Sequence, residues 1–85
     1  MNKGDGFTFE ITKNLGTLAK HTTGWTRELN LVEWNGNKAK FDIRDWDSEH
    51  AHMSKGITLH EDEAKLLSEL LNKHFRDGAE KGSEE

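Results

Sequence analysis

WTRELNLVEWNGNKAKFDIRDW, residues 25–46, decides the fold. At its centre Asn35-Gly36 separates two runs of β-type residues. Asn and Gly both tolerate the positive φ that a tight hairpin turn demands, so the pair predicts a β-hairpin. Before the turn, residues 25–34 place Leu29 and Leu31 on one face, with Trp25 and Arg27 in phase and Trp34 out of phase. After it, KAKFDIRDW (38–46) puts Ala39, Phe41 and Ile43 on one face and Lys38, Lys40, Asp42, Arg44 and Trp46 on the other. Period-two alternation is the signature of a half-buried strand.

Towards the N-terminus, FTFEITK (7–13) alternates Phe7, Phe9 and Ile11 against Thr8, Glu10 and Thr12. Asn14 to Gly16 reads as a turn, and LGTLAKH as a weaker returning strand that ends near Thr22-Thr23-Gly24. Towards the C-terminus, DSEHAHMSKG (47–56) has no period and reads as a polar, mobile loop, and GITL as a short approach to a helix. From Glu61, EDEAKLLSELLNKHF carries Ala64, Leu67, Leu70, Leu71, His74 and Phe75 at three- and four-residue spacing, with acids in the first turn. Gly78 is the expected stop. The expected organisation is a loose end at 1–6, one domain at 7–76 and a disordered acidic tail at 77–85. Four strands followed by one helix is an α+β pattern.

With 85 residues and 32% apolar composition, the chain supports one marginal core. It has no cysteine, so disulfides cannot reinforce that core. Self-association is then the expected remedy. The wide leucine stripe points to a homodimer through Leu67, Leu70, Leu71, His74 and Phe75, the alternative being a monomer with a slightly exposed stripe. No run approaches the roughly 20 apolar residues of a membrane span, and MNKGDG lacks a signal-peptide core. A cytoplasmic protein with no membrane partner is expected. The net charge of −4 is segregated: residues 1–58 are balanced, and the excess acid lies in 59–85.

The face carrying Lys38, Lys40, Arg44 and Trp46, with Trp25, Arg27 and Trp34 on the preceding strand, combines cations with indoles. Single-strand nucleic-acid binders use cations to track phosphates and flat aromatics to stack bases. Against this stands the plainer reading, in which tryptophans fill a core and lysines coat a surface. His50-x-His52, with His60 and Glu49 nearby, falls short of a metal site for want of a rigid third ligand. No metal or other cofactor is expected. Asp42, Asp45 and Asp47 read as strand-surface carboxylates or as partners for neighbouring cations. No nucleophile elbow, phosphate loop or HExxH is present, so no enzymatic activity is expected.

GWTRELNLVEWNG, KFDIRDW and KGITLHEDEAKLLSELL together resemble the transcriptional positive-cofactor-four family, in particular its small bacterial YdbC-like branch, over about residues 7–76. The resemblance implies a curved four-stranded antiparallel sheet followed by one helix, a homodimer, and binding of single-stranded DNA with little sequence preference in transcription or DNA maintenance. It carries Arg27, Trp34, Lys38, Arg44, Trp46 and Lys55 over as ligand positions, whereas Trp25 and Lys40 rest on the pattern of residues alone. Rival readings are an RNA-binding module and an adaptor that docks a transcription-machinery protein.

Overall fold

The computed structural model describes residues 8–81. Four strands, β1 (Phe9–Lys20), β2 (Thr26–Trp34), β3 (Lys40–Trp46) and β4 (Ile57–Leu59), form one antiparallel sheet in sequence order. A single helix, α1 (Glu61–Lys81), follows. The α+β class and the strand count agree with the expectation, but two of the four strands are different ones. Phe7, residues 1–6 and residues 82–85 lie outside the described residues.

The expected turn at Asn14 to Gly16 is absent. β1 runs unbroken for 12 residues against β2, and its register slips between Ile11 and Lys13, Asn14 and Gly16, and Thr17 and Ala19. Each slip accommodates one extra residue as a β-bulge, which bends a strand and increases its twist. A glycine inside a strand marks such a bulge as readily as a turn. The real reversal comes later, where the His21 N–H donates to the Trp25 carbonyl at 2.8 Å and Gly24 adopts φ 96°.

The Asn35-Gly36 hairpin forms as expected, with φ of 53° and 76°. The ladder beyond it pairs Val32 with Lys40 and Thr26 with Trp46. Residues 47–56 then return as an organised loop. The Asp47 carboxylate accepts from the N–H groups of Ala51 and His52 at 2.8 and 3.1 Å. Asp45 N–H donates to Ser54 Oγ at 3.0 Å. GITL supplies β4, which pairs with β3 through Ile43 and Ile57, Asp42 and Thr58, and Phe41 and Leu59. Gly56 enters β4 so close to β3 that a Cβ there would collide with the Arg44 Cβ and the Ile43 carbonyl. α1 opens on Glu61, Asp62 and Glu63, and Glu63 reaches back to accept the His60 N–H at 2.8 Å, half of a capping box. It continues through Gly78 to Lys81, past the expected stop.

The bulged sheet is tightly curled. Phe9 pairs with Trp34 at one end of β2, and Trp46 pairs with Thr26 at the other. In a flat sheet those ends stand ~26 Å apart. Yet the Phe9 and Trp46 ring centres are 5.3 Å apart. The inner face of the curl is the one bearing Glu28, Asn30, Val32, Asp42 and Trp46, and these are the buried residues. It is mostly polar and is bonded internally. Glu28 accepts from Thr26 Oγ1 at 2.6 Å and from Asn30 Nδ2 at 3.2 Å, and His50 Nε2 lies 2.9 and 3.0 Å from its two oxygens. Asn14 Nδ2 donates to Asn30 Oδ1 at 2.7 Å. Burial pushes the Glu28 carboxyl up, but the hydrogen bonds from Thr26, Asn30 and His50 and the charge on His50 outweigh it, and the net direction is down. The Asp47 carboxyl is held at about 2, first by the His52 side chain and then by backbone N–H groups.

The outer face is the apolar one. Leu29, Phe41 and Ile43 lie there only half buried. Among the described residues, α1 touches the sheet only at β3 and β4. Between them lies a groove of about 500 Å³, lined among others by Leu29, Phe41, Ile43, Leu67, Leu71 and Phe75.

Two outcomes follow from this packing. Gly56→Ala lowers the unfolding free energy by about 1–3 kcal/mol, the scale of overpacking at a tight contact, read as a shift in the urea midpoint. An unchanged midpoint would show that β4 moves aside freely. The second outcome concerns acid. A carboxylate whose pKa is lowered by folding stabilises the fold above its unfolded value and loses that contribution as pH falls through the folded one. The urea midpoint therefore falls from the ordinary Glu value of 4.5 downward for Glu28, and from 3.8 towards about 2 for Asp47. Glu28→Gln flattens the upper part of that fall, and a midpoint level through both windows contradicts the network.

Candidate nucleic-acid interface

The eight candidate ligand residues do not share one face. By register, Trp34, Lys40, Arg44 and Trp46 occupy inner-face positions, whereas Arg27 lies on the outer face opposite Asp45. Lys38 and Lys55 stand in loops and are exposed.

Two of the eight are corrected by their surroundings. Trp46 is fully buried, packed against Phe9 and stacked on the His50 ring at 5.7 Å between centres. It is a core residue and offers no face to a ligand in this conformation. Strand parity places it correctly beside the cations, but the curl and the 47–56 loop seal that face. Arg44 is 14% exposed, and its Nε and Nη2 donate to Asp42 at 2.6 and 2.8 Å. Its Nη1 donates to the Ser54 carbonyl at 3.3 Å. The guanidinium also sits 4.7 Å from the Trp34 ring centre, within cation–π range. The Arg44 charge is neutralised by a buried carboxylate, so it serves the interior.

The accessible groups gather at the two ends of the β2–β3 ladder. At the hairpin end, Trp34 is half buried with Phe9 at 6.0 Å, and Lys38 and Lys40 follow the turn. Both lysines contribute to the lining of a cleft of about 400 Å³, together with Leu31, Phe41, His60 and Glu61. At the other end, Trp25 is half buried just before β2, and Arg27 is 49% exposed. Arg27 Nε donates to Asp45 Oδ1 at 2.9 Å, and Nη2 reaches Oδ2 at 3.4 Å. His21 Nε2 lies 3.3 Å from Asp45 Oδ2, near enough for charge attraction but not aligned as a hydrogen bond. The Arg27 bond, then His21, holds the Asp45 carboxyl below its ordinary range despite some desolvation.

Sequence reasoning misses Lys20, which pairs with Thr26 beside the Trp25 end, and Lys13, which is exposed on the same strand. Breaking the chain at Asn14 to Gly16 hides both, because their position depends on one continuous β1. It also misses Asp45 as the partner of Arg27, although counting back from the hairpin brings the two near each other. The histidines are divided between tasks: His50 faces Glu28 and His52 faces Asp47 at 2.9 Å. Among the described residues no three His, Cys, Asp or Glu side chains converge as a metal site, and no helix is long and apolar enough to cross a membrane.

Comparison with known proteins adds to this geometry. The profile of the family described as Transcriptional Coactivator p15 (PC4) matches residues 21–70, which span β2, β3, β4 and the first half of α1. An uncharacterised protein of Treponema pallidum (strain Nichols) is 44% identical over 68 residues, 80% of each chain. The matched segment contains the hairpin, the Asp42–Arg44 pair and the tight entry at Gly56. With that segment matched and a relative so similar over most of the chain, this protein belongs to the Transcriptional Coactivator p15 family, whose members are associated with nucleic-acid binding and transcription.

Proposed function

We propose that this protein binds single-stranded DNA with little dependence on sequence, as a cytoplasmic homodimer acting in transcription or DNA maintenance, and catalyses no reaction. The observation that carries the reading is the presence, at each end of β2, of a half-buried indole a few residues from an exposed cation: Trp25 near Arg27, and Trp34 near Lys38. Membership of a transcription-related family supports it. The strand follows the rim of the curled sheet, with bases stacking on the indoles and phosphates near Lys38, Lys40 and Lys55.

The dimer rests on the outer face. Only Val32 and Trp46 are fully buried apolar residues among those described, a small core for a domain of this size. Meanwhile Leu66, Leu70, Leu71 and Phe75 are 55%, 57%, 46% and 64% exposed along α1. A contiguous apolar surface of this kind marks an association site. A second copy seated on α1 and the groove beneath it removes that surface from water, with Leu67 and His74 included in the contact.

A titration of tryptophan emission with oligo-dT at several salt concentrations tests the DNA reading. Three lysines from each protomer give a log–log salt slope of about −4, at roughly −0.7 per phosphate. Lys38→Ala removes one lysine from each protomer, weakens all sequences alike and reduces the slope by about 1.4. The absence of any spectral change at low salt rules out the reading. Leu71→Asp and Phe75→Asp each convert the dimer to monomer in sedimentation equilibrium. A wild-type protein that sediments as a monomer at every concentration rules out the dimer.

A further inference from the structure

Asn35-Gly36 is the one Asn-Gly pair in the sequence, and it forms the hairpin turn between Trp34 and Lys38. Both residues are exposed. The turn is fastened on either side of their shared peptide group. The Asn35 N–H donates to the Thr8 carbonyl at 2.8 Å, and the Asn37 N–H donates to the Trp34 carbonyl at 2.9 Å. In return the Thr8 N–H donates to Asn35 Oδ1 at 2.8 Å. The peptide group itself is left out: among the described residues, neither the Asn35 carbonyl nor the Gly36 N–H takes part in a hydrogen bond. It can rotate without breaking one, and Gly36, lacking a side chain, hinders neither the rotation nor a close approach of its nitrogen. Asn35 Nδ2 likewise has no partner among the described residues. Asn30 is the contrast. Its amide is buried, with Nδ2 on Glu28 and Oδ1 on Asn14, and a leucine follows it.

We propose that Asn35 is a site of spontaneous modification, converting to aspartate and isoaspartate, and that the conversion weakens the DNA-binding rim. Hydroxide takes the Gly36 N–H proton, and the nitrogen attacks Asn35 Cγ. The new N–Cγ bond closes a five-membered imide as the Cγ–Nδ2 bond breaks, and Nδ2 leaves as ammonia after taking a proton from water. Negative charge developing on Oδ1 is met by the Thr8 N–H, a donor already in place. Water then opens the imide. Attack at Cγ gives aspartate, and attack at the backbone carbonyl gives isoaspartate. Either product adds one negative charge per protomer, three residues before Lys38. Isoaspartate also adds a backbone carbon to a turn whose length sets the strand register. The chemistry stands apart from the single-stranded DNA reading, and its effect on binding rests on that reading.

The test holds the folded full chain at physiological temperature and mildly alkaline pH for several weeks, followed by peptide mapping in a mass spectrometer. The expected result is amide-to-acid exchange at Asn35, with Asn14 and Asn30 intact. An Asn35 that stays intact in folded protein while urea-unfolded protein loses its amide shows that the hairpin protects the site, and overturns the proposal. Anion exchange separates the modified fraction by its added charge. In oligo-dT titrations that fraction shows a log–log salt slope smaller by about 1.4, one cation offset in each protomer. Asn35→Asp, made directly, matches it. Wild-type slopes for both overturn the effect on the rim and leave the modification standing. Failure of fresh protein to bind oligo-dT overturns that effect together with the DNA reading, while the mass measurement still decides the modification.

Discussion

Asp42 is fully buried at the middle of β3, and its two oxygens take the Arg44 guanidinium from one side and the Thr58 hydroxyl, at 2.9 Å, from the other. Leaving either charge of such a pair alone costs about 3–5 kcal/mol, a large share of the stability of a small domain. Through Thr58 the pair fastens β4, the shortest strand, to the sheet. Through Arg44 it reaches Trp34 and the Met53–Ser54 segment, so the loop that closes the inner face is tied to the same charge. Gly56 is required because the chain must pass directly over Arg44 to reach Thr58.

That arrangement inverts the usual relation between polarity and burial. The inner face of the curl is sealed largely by polar groups that hydrogen-bond to one another, with Val32 and Trp46, whose Nε1 finds no hydrogen-bond partner among the described residues, as its apolar part. The apolar outer face is left half open beneath a helix that barely touches it. A polar interior fixes geometry well but contributes little net stabilisation, since its hydrogen bonds replace bonds to water. The hydrophobic stabilisation has to come from covering the outer face, which is why association and fold are linked here. The same division sorts the cations. Arg44 belongs to the interior, and the lysines and Arg27 remain at the rim.

Much of the fold was legible in residues. Asn35-Gly36 announces the hairpin because few other pairs accept two positive φ values in succession. The alternation of KFDIRDW states correctly which residues share a face. The class follows from the order of strand-like runs and one amphipathic segment, and the family resemblance rests on short strings that lie in the matched region. Legibility failed at Asn14 to Gly16 because a glycine among β-type residues signals a turn and a bulge equally well. It failed at residues 47–56 because an aperiodic polar stretch gives no hint of the carboxylates waiting to organise it. Of the candidate site, Lys55 was readable as a loop cation, whereas Lys38, read as the first residue of a strand, lies exposed in the loop before β3. Trp46 and Arg44 were not readable as interior.

Local chemistry in the chain by itself determined the hairpin, the face each residue of β2 and β3 belongs to, the helix and the shortage of apolar core. Only the tertiary structure decided which face is inside. Period two assigns residues to two sides and is silent on which side closes. Curvature makes that choice, and curvature arises here from three bulges in β1 acting together with a loop and a buried ion pair far apart in sequence.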